Sequence, residues 1–295
     1  GGLAVQTMAA AKCPLGALCA ETFQATLSGI YESSPWVAAR VAASGPFESV
    51  TALAAAMRDV VDMASDDDKL KLLRAHPDLA GKAALRGDVT EESSAEQRRA
   101  GLDSLSAEEL NEFTELNDAY KTRFGFPFIL AVRNATKHTI LAAFRRRVQN
   151  DAAAERAECL AQVHKIAWMR LLDAVQCAPT GFLTCHVLDT ADGVPAAGMT
   201  VTLTRPCGTV ATYVTNADGR LDDQGAAVVR GHDFLPGVYE WRFAVGEYFA
   251  ARGTPLAATP FLDVVPIRFG VDNPEAHYHV PLLCSPWSFS TYRGS

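Results

Sequence analysis

Three residues in the first half of this chain are of types that carry acid–base chemistry or bind carboxylates. His76 ends a predicted helix immediately before Pro77, Glu96 lies in a polar segment, and Arg170 stands in an otherwise apolar helical segment. Imidazole titrates near neutral pH, and a guanidinium can donate two parallel hydrogen bonds to a carboxylate. Each residue alone is also typical of a helix stop, a cap or a side chain that reaches water. A buried, unpaired Arg170 would be costly, so we expect it to have a polar partner.

A second group of polar residues interrupts strand-like sequence near the end of the chain. His186 lies within an apolar run, Arg220 ends the turn Asn216-Ala-Asp-Gly-Arg, and His277 and His279 alternate around a tyrosine. Residues two apart in a strand share a face, so His277 and His279 point the same way. A zinc site is the alternative for three histidines, but no acidic residue is spaced as in His-Glu-x-x-His and Arg220 would be repelled by the ion. We therefore expect no metal.

Length and composition indicate two soluble domains. The chain has 295 residues, 48% of them hydrophobic and 21% charged, and a net charge of −7. This charge argues against nucleic acid as a partner, and the densest basic run, residues 145–147, is predicted to be a solvated helix end. No apolar run approaches a membrane span, so no membrane association is expected. Seven scattered cysteines without a CxxC pair are typical of a reducing compartment.

The composition changes near residue 177, which predicts a multidomain chain with an all-α domain followed by an all-β sandwich. All seven lysines precede residue 166, whereas ten of the fifteen prolines lie from Pro179 onward. We predict a disordered leader over residues 1–14, a helical domain over 15–176, a linker over 177–181 and a β domain over 182–295. The spacing of the strands predicts an antiparallel sandwich.

Local signals predict the boundaries of several elements. Pro35 can open a helix, and both Ser93-x-x-Glu96 and Ser106-x-x-Glu109 fit a capping box. A last helix is predicted from about residue 152 to 175. Strands are predicted over residues 182–188, 199–204, 210–214, 238–245, 261–269 and 277–284.

Four motifs in the β domain resemble those of the 5-hydroxyisourate hydrolases, which have the transthyretin-like fold. They are Cys185-His-Val-Leu-Asp-Thr, Asn216-Ala-Asp-Gly-Arg, His277-Tyr-His-Val-Pro-Leu-Leu and the final Tyr-Arg-Gly-Ser. The resemblance implies that His186 and His279 orient and deprotonate water and that Arg220 polarises the carbonyl. It also implies a tetramer with its site at a subunit interface, and a substrate-binding tail of Tyr292, Arg293, Gly294 and Ser295.

The helical domain resembles the decarboxylases acting on 2-oxo-4-hydroxy-4-carboxy-5-ureidoimidazoline. The resemblance rests on His76-Pro-Asp-Leu-Ala, Ser93-x-x-Glu-Gln, Phe124-Gly-Phe-Pro-Phe-Ile and Lys165-Ile-Ala-x-x-Arg-Leu. It implies that His76 is the essential catalytic residue and proton donor, with Glu96 and Arg170 at the site. The implied substrate-binding residues are Pro77, Gln97, Phe128, Ile129 and Leu130.

The fused order resembles the bifunctional allantoin synthases of urate breakdown. It implies a cofactor-free enzyme with small purine-derived substrates, which hydrolyses 5-hydroxyisourate and decarboxylates the product to (S)-allantoin. The alternative is a transthyretin-like carrier or interaction protein that kept the folds without the chemistry. The expected location is cytoplasmic or peroxisomal, and the segment beginning at Arg170 only loosely resembles an internal peroxisomal signal.

Overall fold

The computed structural model describes residues 12–80, 90–99, 102, 104–133, 135–221 and 228–294. It divides into two compact units between residues 176 and 177. We call residues 12–176 the helical unit and residues 177–294 the β unit.

The helical unit is built from amphipathic helices whose ends follow local sequence signals. Pro35 occupies the first turn of the helix that it opens. Ser65 caps the helix Asp66–Ala75, and the three aspartates in the first turn of that helix are stabilised by the positive end of the helix dipole. The helices are α1 (Ala20–Leu27), α2 (Pro35–Val41), α3 (Val50–Asp62), α4 (Asp66–Ala75), α5 (Glu91–Arg99), α6 (Ala107–Phe124), α7 (Lys137–Arg147) and α8 (Ala152–Ala174).

One of the two predicted capping boxes is confirmed and the other is wrong. The Ser106 hydroxyl accepts from Glu109 N, and the Glu109 carboxylate accepts from Ser106 N. Ser93 and Glu96, by contrast, lie inside α5, which begins at Glu91. Their side chains bind a buried arginine of another helix, so tertiary contacts replace the predicted capping role.

The predicted solvated end of α7 is only partly solvated. Arg145 pairs with Glu112 at the surface, as the charge pattern suggests. Arg147 is 0% exposed and pairs with Glu155, which is equally buried. The prediction is wrong for Arg147 because a carboxylate from α8 satisfies its guanidinium inside the core.

The first described residues are ordered, in contrast to the leader predicted over residues 1–14. Cys13–Pro14 form strand β1, which pairs in parallel with β2, Val175–Gln176. Backbone hydrogen bonding to the end of the helical unit therefore orders this segment; residues 1–11 lie outside the described residues.

The β unit consists of short strands with alternating burial. They are β3 (Phe182–Thr184), β4 (Val187–Asp189), β5 (Val194–Pro195), β6 (Thr200–Thr204), β7 (Val210–Val214), β8 (Val229–Arg230), β9 (Gly237–Ala244), β10 (Val264–Val271), β11 (His277–His279), β12 (Leu282–Cys284) and β13 (Phe289–Ser290). Residues 245–251, of which the first was predicted as strand, form helix α9 (Val245–Ala251).

The sheets are not purely antiparallel. One sheet has the antiparallel order β10-β9-β6-β7, but β11 pairs in parallel with β3, and β12 pairs in parallel with β4. The antiparallel prediction fails here because spacing along the chain does not report the direction of strands that are far apart in sequence. The parallel register places His279 opposite Thr184.

Apolar side chains from the three sheets of the β unit and from α9 form its core, with Trp241, Phe243 and Val201 completely buried. The alternation of buried and exposed residues along β6 and β9 produces this inward face. In the part of the chain that the structure describes, no helix is long and apolar enough to cross a membrane.

Candidate active sites

His76 lies at the C-terminal end of α4 and is 8% exposed. Its Nδ1 lies 3.0 Å from the Leu72 carbonyl oxygen. A carbonyl only accepts, so Nδ1 carries the proton and donates to Leu72, leaving Nε2 as the lone-pair nitrogen of the neutral ring. Burial lowers the pKa of His76 to about 4, and Arg170 acts in the same direction, against the Leu72 hydrogen bond and Glu32. His76 is therefore neutral at physiological pH.

Arg170 projects from α8 into a set of acceptors and has the polar partners expected of it. Its Nε donates to Glu96 Oε1 over 2.9 Å, and Nη2 donates to Glu96 Oε2 over 3.1 Å. Nη2 also lies 2.9 Å from Glu32 Oε2, and Nη1 donates to the Gly29 carbonyl. Arg170 was predicted to form a bidentate hydrogen bond with the substrate. In this structure it forms that bidentate hydrogen bond with the carboxylate of Glu96.

Glu32 is a site residue that the sequence analysis missed. It is 3% exposed and accepts hydrogen bonds from Thr90 over 2.8 Å and from Ser93 over 2.9 Å. Burial alone would raise the pKa of Glu32, but Arg170 and these hydroxyl groups hold it below its usual range. The sequence signal was a carboxylate between apolar Tyr31 and the helix opened by Pro35, which is an unusual place for a charge.

Gln97 supports the segment that follows His76. Its Oε1 accepts from Ala80 N over 2.9 Å, and its amide nitrogen donates to the Asp78 carbonyl over 3.4 Å. Ala80 has a positive φ of 52°, which a non-glycine residue adopts only under restraint. Both polar groups of Gln97 are thus bound to backbone, and its predicted substrate contact stays a prediction.

The predicted residues of the helical unit line one pocket. Its walls carry the imidazole of His76, the carboxylate of Glu96 and the guanidinium of Arg170, together with an apolar surface. The lining comprises His76, Pro77, Leu79, Ser93, Glu96, Gln97, Phe128, Ile129, Leu130, Val132, Ile166 and Arg170. The pocket thus combines one neutral base, an ion-paired guanidinium and apolar walls.

In the β unit, His186, which lies between β3 and β4 in sequence, pairs with Arg220 through an isolated antiparallel bridge. Burial lowers the pKa of His186, and the charge of Arg220 acts in the same direction, against a hydrogen bond to the Asp218 backbone. The buried His186 Nε2 has no hydrogen-bond partner among the described residues. Gly219 permits this approach, because a Cβ there would lie 2.3 Å from the Val187 carbonyl oxygen.

His279 shares a hydroxyl with His277. Thr184 Oγ1 lies 2.9 Å from His279 Nδ1 and 2.8 Å from His277 Nε2. One hydroxyl proton can be donated to only one ring, so Thr184 couples the tautomers of the two histidines. Burial lowers the pKa of His279, with contributions from Arg220, His277 and His186. Thr184 was missed, although it precedes His186 by two residues and so shares its face in extended backbone.

The tail contacts the same site, but its residues do so differently. Gly294 exchanges two backbone hydrogen bonds with His279, and the Tyr292 ring packs edge-on at 6.5 Å from the His279 ring. The Arg293 guanidinium stacks instead over Tyr278, which points to the opposite face of its strand from His279. Ser295 lies outside the described residues.

Within the described ranges, no three metal-binding side chains of the His, Cys, Asp or Glu type are placed to share an ion. The site of the helical unit presents a neutral imidazole beside an ion-paired guanidinium and two carboxylates, whereas the site of the β unit presents imidazoles beside the guanidinium of Arg220.

Comparison with known proteins assigns both units to families. Residues 16–172, more than half of the chain, match the OHCU decarboxylase family. The chain belongs to that family. Residues 183–294 match the HIUase/Transthyretin family. The β unit belongs to this second family, since the 5-hydroxyisourate hydrolase of Pseudomonas aeruginosa is 50% identical over 121 residues, which cover 40% of this chain and 94% of the relative.

Two further relatives support the assignment. The 2-oxo-4-hydroxy-4-carboxy-5-ureidoimidazoline decarboxylase of Haloferax volcanii is 44% identical over 153 residues, which cover 52% of this chain and 89% of the relative. A crystal structure of (S)-allantoin synthase is similar over both units, with 47% identity and a TM-score of 0.78. That similarity covers 96% of this chain and 97% of the other.

Proposed function

We propose that this chain is a bifunctional enzyme that converts 5-hydroxyisourate to (S)-allantoin and carbon dioxide. The β unit hydrolyses 5-hydroxyisourate to the ureidoimidazoline, and the helical unit decarboxylates that product. The proposal rests on two separate groups of acid–base and cationic side chains, one in each unit, in a chain that is similar to (S)-allantoin synthase over 96% of its length.

In the hydrolysis, the neutral imidazoles of His186 and His279 orient and deprotonate water. Their lowered pKa values leave them unprotonated near neutral pH, so each can accept a proton. The Arg220 guanidinium polarises the carbonyl and stabilises the oxyanion that forms when water adds. We assign the ring proton of His279 to Nδ1, which donates to Thr184 Oγ1 while the Thr184 hydroxyl donates to His277 Nε2; Nε2 of His279 is then left to accept the proton. Tyr292 and Gly294 close the substrate side of His279, and we propose that Ser295 joins them.

In the decarboxylation, His76 acts first as a base, because its ring is neutral. The sequence resemblance had implied instead that His76 is the proton donor from the start. When the carboxylate leaves carbon 4 of the ring as carbon dioxide, its bonding electron pair forms a C4–C5 double bond, the C5–N double bond becomes single, and that nitrogen takes a proton from water. The resulting enol must gain a proton on carbon 5 and lose one from the 4-hydroxyl to become allantoin. A neutral His76 can take the hydroxyl proton at Nε2 and deliver it to one face of carbon 5, which fixes the chirality.

The ion pairs place the remaining polar groups around the substrate. Glu96 accepts from the ureido group, while Arg170 holds Glu96 and Glu32 in place and its remaining N–H group contacts the substrate. Pro77, Phe128, Ile129 and Leu130 confine the ring, with the Leu130 backbone as its polar contact. No cofactor takes part in either step.

Asparagine substitutions test the two-site proposal, because asparagine keeps a polar group near the position of Nδ1. His76→Asn should leave consumption of 5-hydroxyisourate intact while the ureidoimidazoline accumulates. His279→Asn should slow hydrolysis by about 10²–10⁴-fold while supplied ureidoimidazoline is still converted to one enantiomer. Ultraviolet absorbance follows the first step and circular dichroism the second. A folded His76→Asn protein that no longer hydrolyses 5-hydroxyisourate would contradict separate sites, and binding without turnover would favour the carrier alternative.

We further propose that the β units assemble into a homotetramer around the hydrolase site. Large apolar side chains near the tail are exposed in the single chain, including Trp287 at 63% and Tyr292 at 57%. A neighbouring subunit would cover them and complete the open side of His279. Light scattering of the purified protein should give a tetramer, and a fully active monomer would refute this arrangement.

We propose a cytoplasmic or peroxisomal location. Arg170, Leu171 and Leu172, which begin the loose internal signal, are buried in α8 of the folded chain, and this burial favours the cytoplasmic alternative. Fluorescence microscopy of the tagged protein beside a peroxisomal marker distinguishes the two compartments.

A further inference from the structure

Arg147 is a completely buried cation that the proposed chemistry does not use. It occupies the last turn of α7, and its Nε and Nη2 donate to Glu155 Oε1 over 2.9 and 2.6 Å. Its third nitrogen, Nη1, reaches in another direction and donates to the Ile129 carbonyl over 2.8 Å. The guanidinium therefore connects a buried carboxylate to the backbone of a pocket residue.

Further buried polar groups surround this pair, and we call Arg147, Glu155, Tyr120 and Cys159 the Arg147 cluster. Tyr120 donates to Glu155 and lies 3.3 Å from Cys159 Sγ, and Arg147 Nη2 lies 3.1 Å from the same sulfur. Asn150 donates to the second oxygen of Glu155 over 2.7 Å. Burial and the neighbouring Cys159 raise the pKa of Tyr120, so its hydroxyl keeps its proton and remains a donor.

Stability alone is a poor explanation for such a cluster. The cost of removing two charges from water usually equals or exceeds their attraction, and well-packed apolar residues of similar volume are commonly as stable or more so. A guanidinium differs from an apolar side chain in that it fixes the direction of several acceptors at once. The feature that needs explaining is therefore what Arg147 holds in place.

The segment held by Arg147 is the apolar wall of the decarboxylase pocket, residues 128–131, which we call the wall segment. Arg147 binds it at Ile129, and Gln162 Oε1 accepts from Ala131 N over 3.0 Å. The Arg147 guanidinium also lies 4.5 Å from the centre of the Phe128 ring. Phe128, Ile129 and Leu130 line the same pocket as the catalytic His76. Two hydrogen bonds and a cation–π contact thus fix both ends of a segment that has no regular secondary structure.

We propose that Arg147 is a positioning residue of the decarboxylase pocket. By holding the Ile129 carbonyl, it sets the distance of the wall segment from His76 and so the orientation of the bound ureidoimidazoline. This inference rests on the proposed function of the helical unit. It assigns a role in substrate binding to a side chain that is outside the pocket.

Arg147→Lys tests the proposal. Lysine keeps a positive charge for Glu155, but its single nitrogen cannot also donate to Ile129 along a divergent direction. We expect the KM for the ureidoimidazoline to rise about tenfold with a smaller change in kcat, because an unpaired backbone acceptor lets the wall move. Amide hydrogen exchange of peptides covering residues 126–133 should become faster. Hydrolysis of 5-hydroxyisourate by the same molecules is the internal control and should not change.

Two variants separate positioning from a general loss of stability. Tyr120→Phe removes one hydrogen bond of the Arg147 cluster but leaves the contact between Arg147 and Ile129, so its KM should match that of the wild type. Arg145→Lys changes an exposed arginine on the same helix as Arg147 and should leave the KM for the ureidoimidazoline unchanged. If Arg147→Lys folds poorly, the double variant Arg147→Leu/Glu155→Leu removes the charges as a pair and should fold with a raised KM.

The outcomes are distinguishable. A wild-type KM in Arg147→Lys or in the double variant would overturn the positioning role, and so would Tyr120→Phe raising KM by the same factor. A wild-type chain that does not decarboxylate the ureidoimidazoline would refute the proposed function and the inference with it.

Discussion

Acid should destabilise the helical unit through His76 before it affects the chemistry that His76 performs. The pKa of His76 is lowered from 6.5 to about 4, chiefly by burial, while the charge of Glu32 raises it and the charge of Arg170 lowers it. The unfolded chain therefore binds this proton first, and stability is lost as the pH falls from about 6.5 towards 4. At about pH 5 the expected loss is about 2 kcal/mol relative to pH 8, approaching about 3 kcal/mol at lower pH.

His76→Asn isolates this contribution, because asparagine does not titrate and its amide can still donate to the Leu72 carbonyl. Urea unfolding of both proteins between pH 5 and 8, followed by pulsed hydrogen exchange of peptides from residues 15–176, measures the free energy of unfolding of the helical unit. The difference between wild type and variant should change by about 2 kcal/mol over this range. Other titratable groups contribute equally to the free energy of unfolding of both proteins, so their contributions cancel in the difference.

The kinetics provide an independent check of the same pKa. Wild-type kcat/KM for decarboxylation should stay nearly constant as the pH falls from 8 to about 5, because His76 remains neutral in the free protein. Parallel pH dependence of stability in wild type and His76→Asn would refute the buried neutral histidine. A decline of kcat/KM with a midpoint near 6.5 would refute it as well.

Three further predictions concern the β unit and the cofactors. Thr184→Val keeps the side-chain volume but removes the hydroxyl that joins His277 to His279, so the hydrolytic kcat should fall about 10–100-fold. Thr184→Ser restores the hydroxyl and should restore kcat. Equal activity of the two variants would contradict the coupling of the histidines through Thr184. Gly294→Ala places a Cβ 2.8 Å from the His279 ring and should reduce the rate of hydrolysis about 100-fold. The control Gly270→Ala places its Cβ where no atom lies within 4 Å and should leave the rate unchanged. Equal rates in the two variants would mean that the tail does not orient His279. Exhaustive chelation with EDTA should leave both activities unchanged, and restoration of a lost activity by zinc would reverse the assignment of the histidines as acid–base groups.

The sequence was informative wherever a local rule determines the structure. The capping box at Ser106 and the helix opened by Pro35 depend on hydrogen bonds and sterics within a few residues. His76 was correctly placed at a helix end because Pro77 prevents the helix from continuing. The two domain classes followed from composition, since helix-forming and strand-forming residues are separated along the chain.

The errors arose where a distant partner changes the environment of a residue. Glu96 resembles a cap residue until Arg170, 74 positions later, is known to bind it. Arg147 resembles a solvated charge, and only the packing of α8 against α7 supplies the buried Glu155. Glu32 and Thr184 carry only weak local signals, and their roles depend on partners that are distant in sequence: Arg170 for Glu32, and His277 and His279 for Thr184.

The pairing of β1 with β2 has a consequence for modularity. Because Cys13 lies opposite Val175 in a parallel register, the chain enters and leaves the helical unit at neighbouring points, one strand spacing of about 4.8 Å apart. A domain with adjacent entry and exit can be inserted into a surface loop of another protein, or circularly permuted by a short connection, without disturbing its core. We therefore expect the helical unit to keep its fold when it is inserted into another protein at these two adjacent ends.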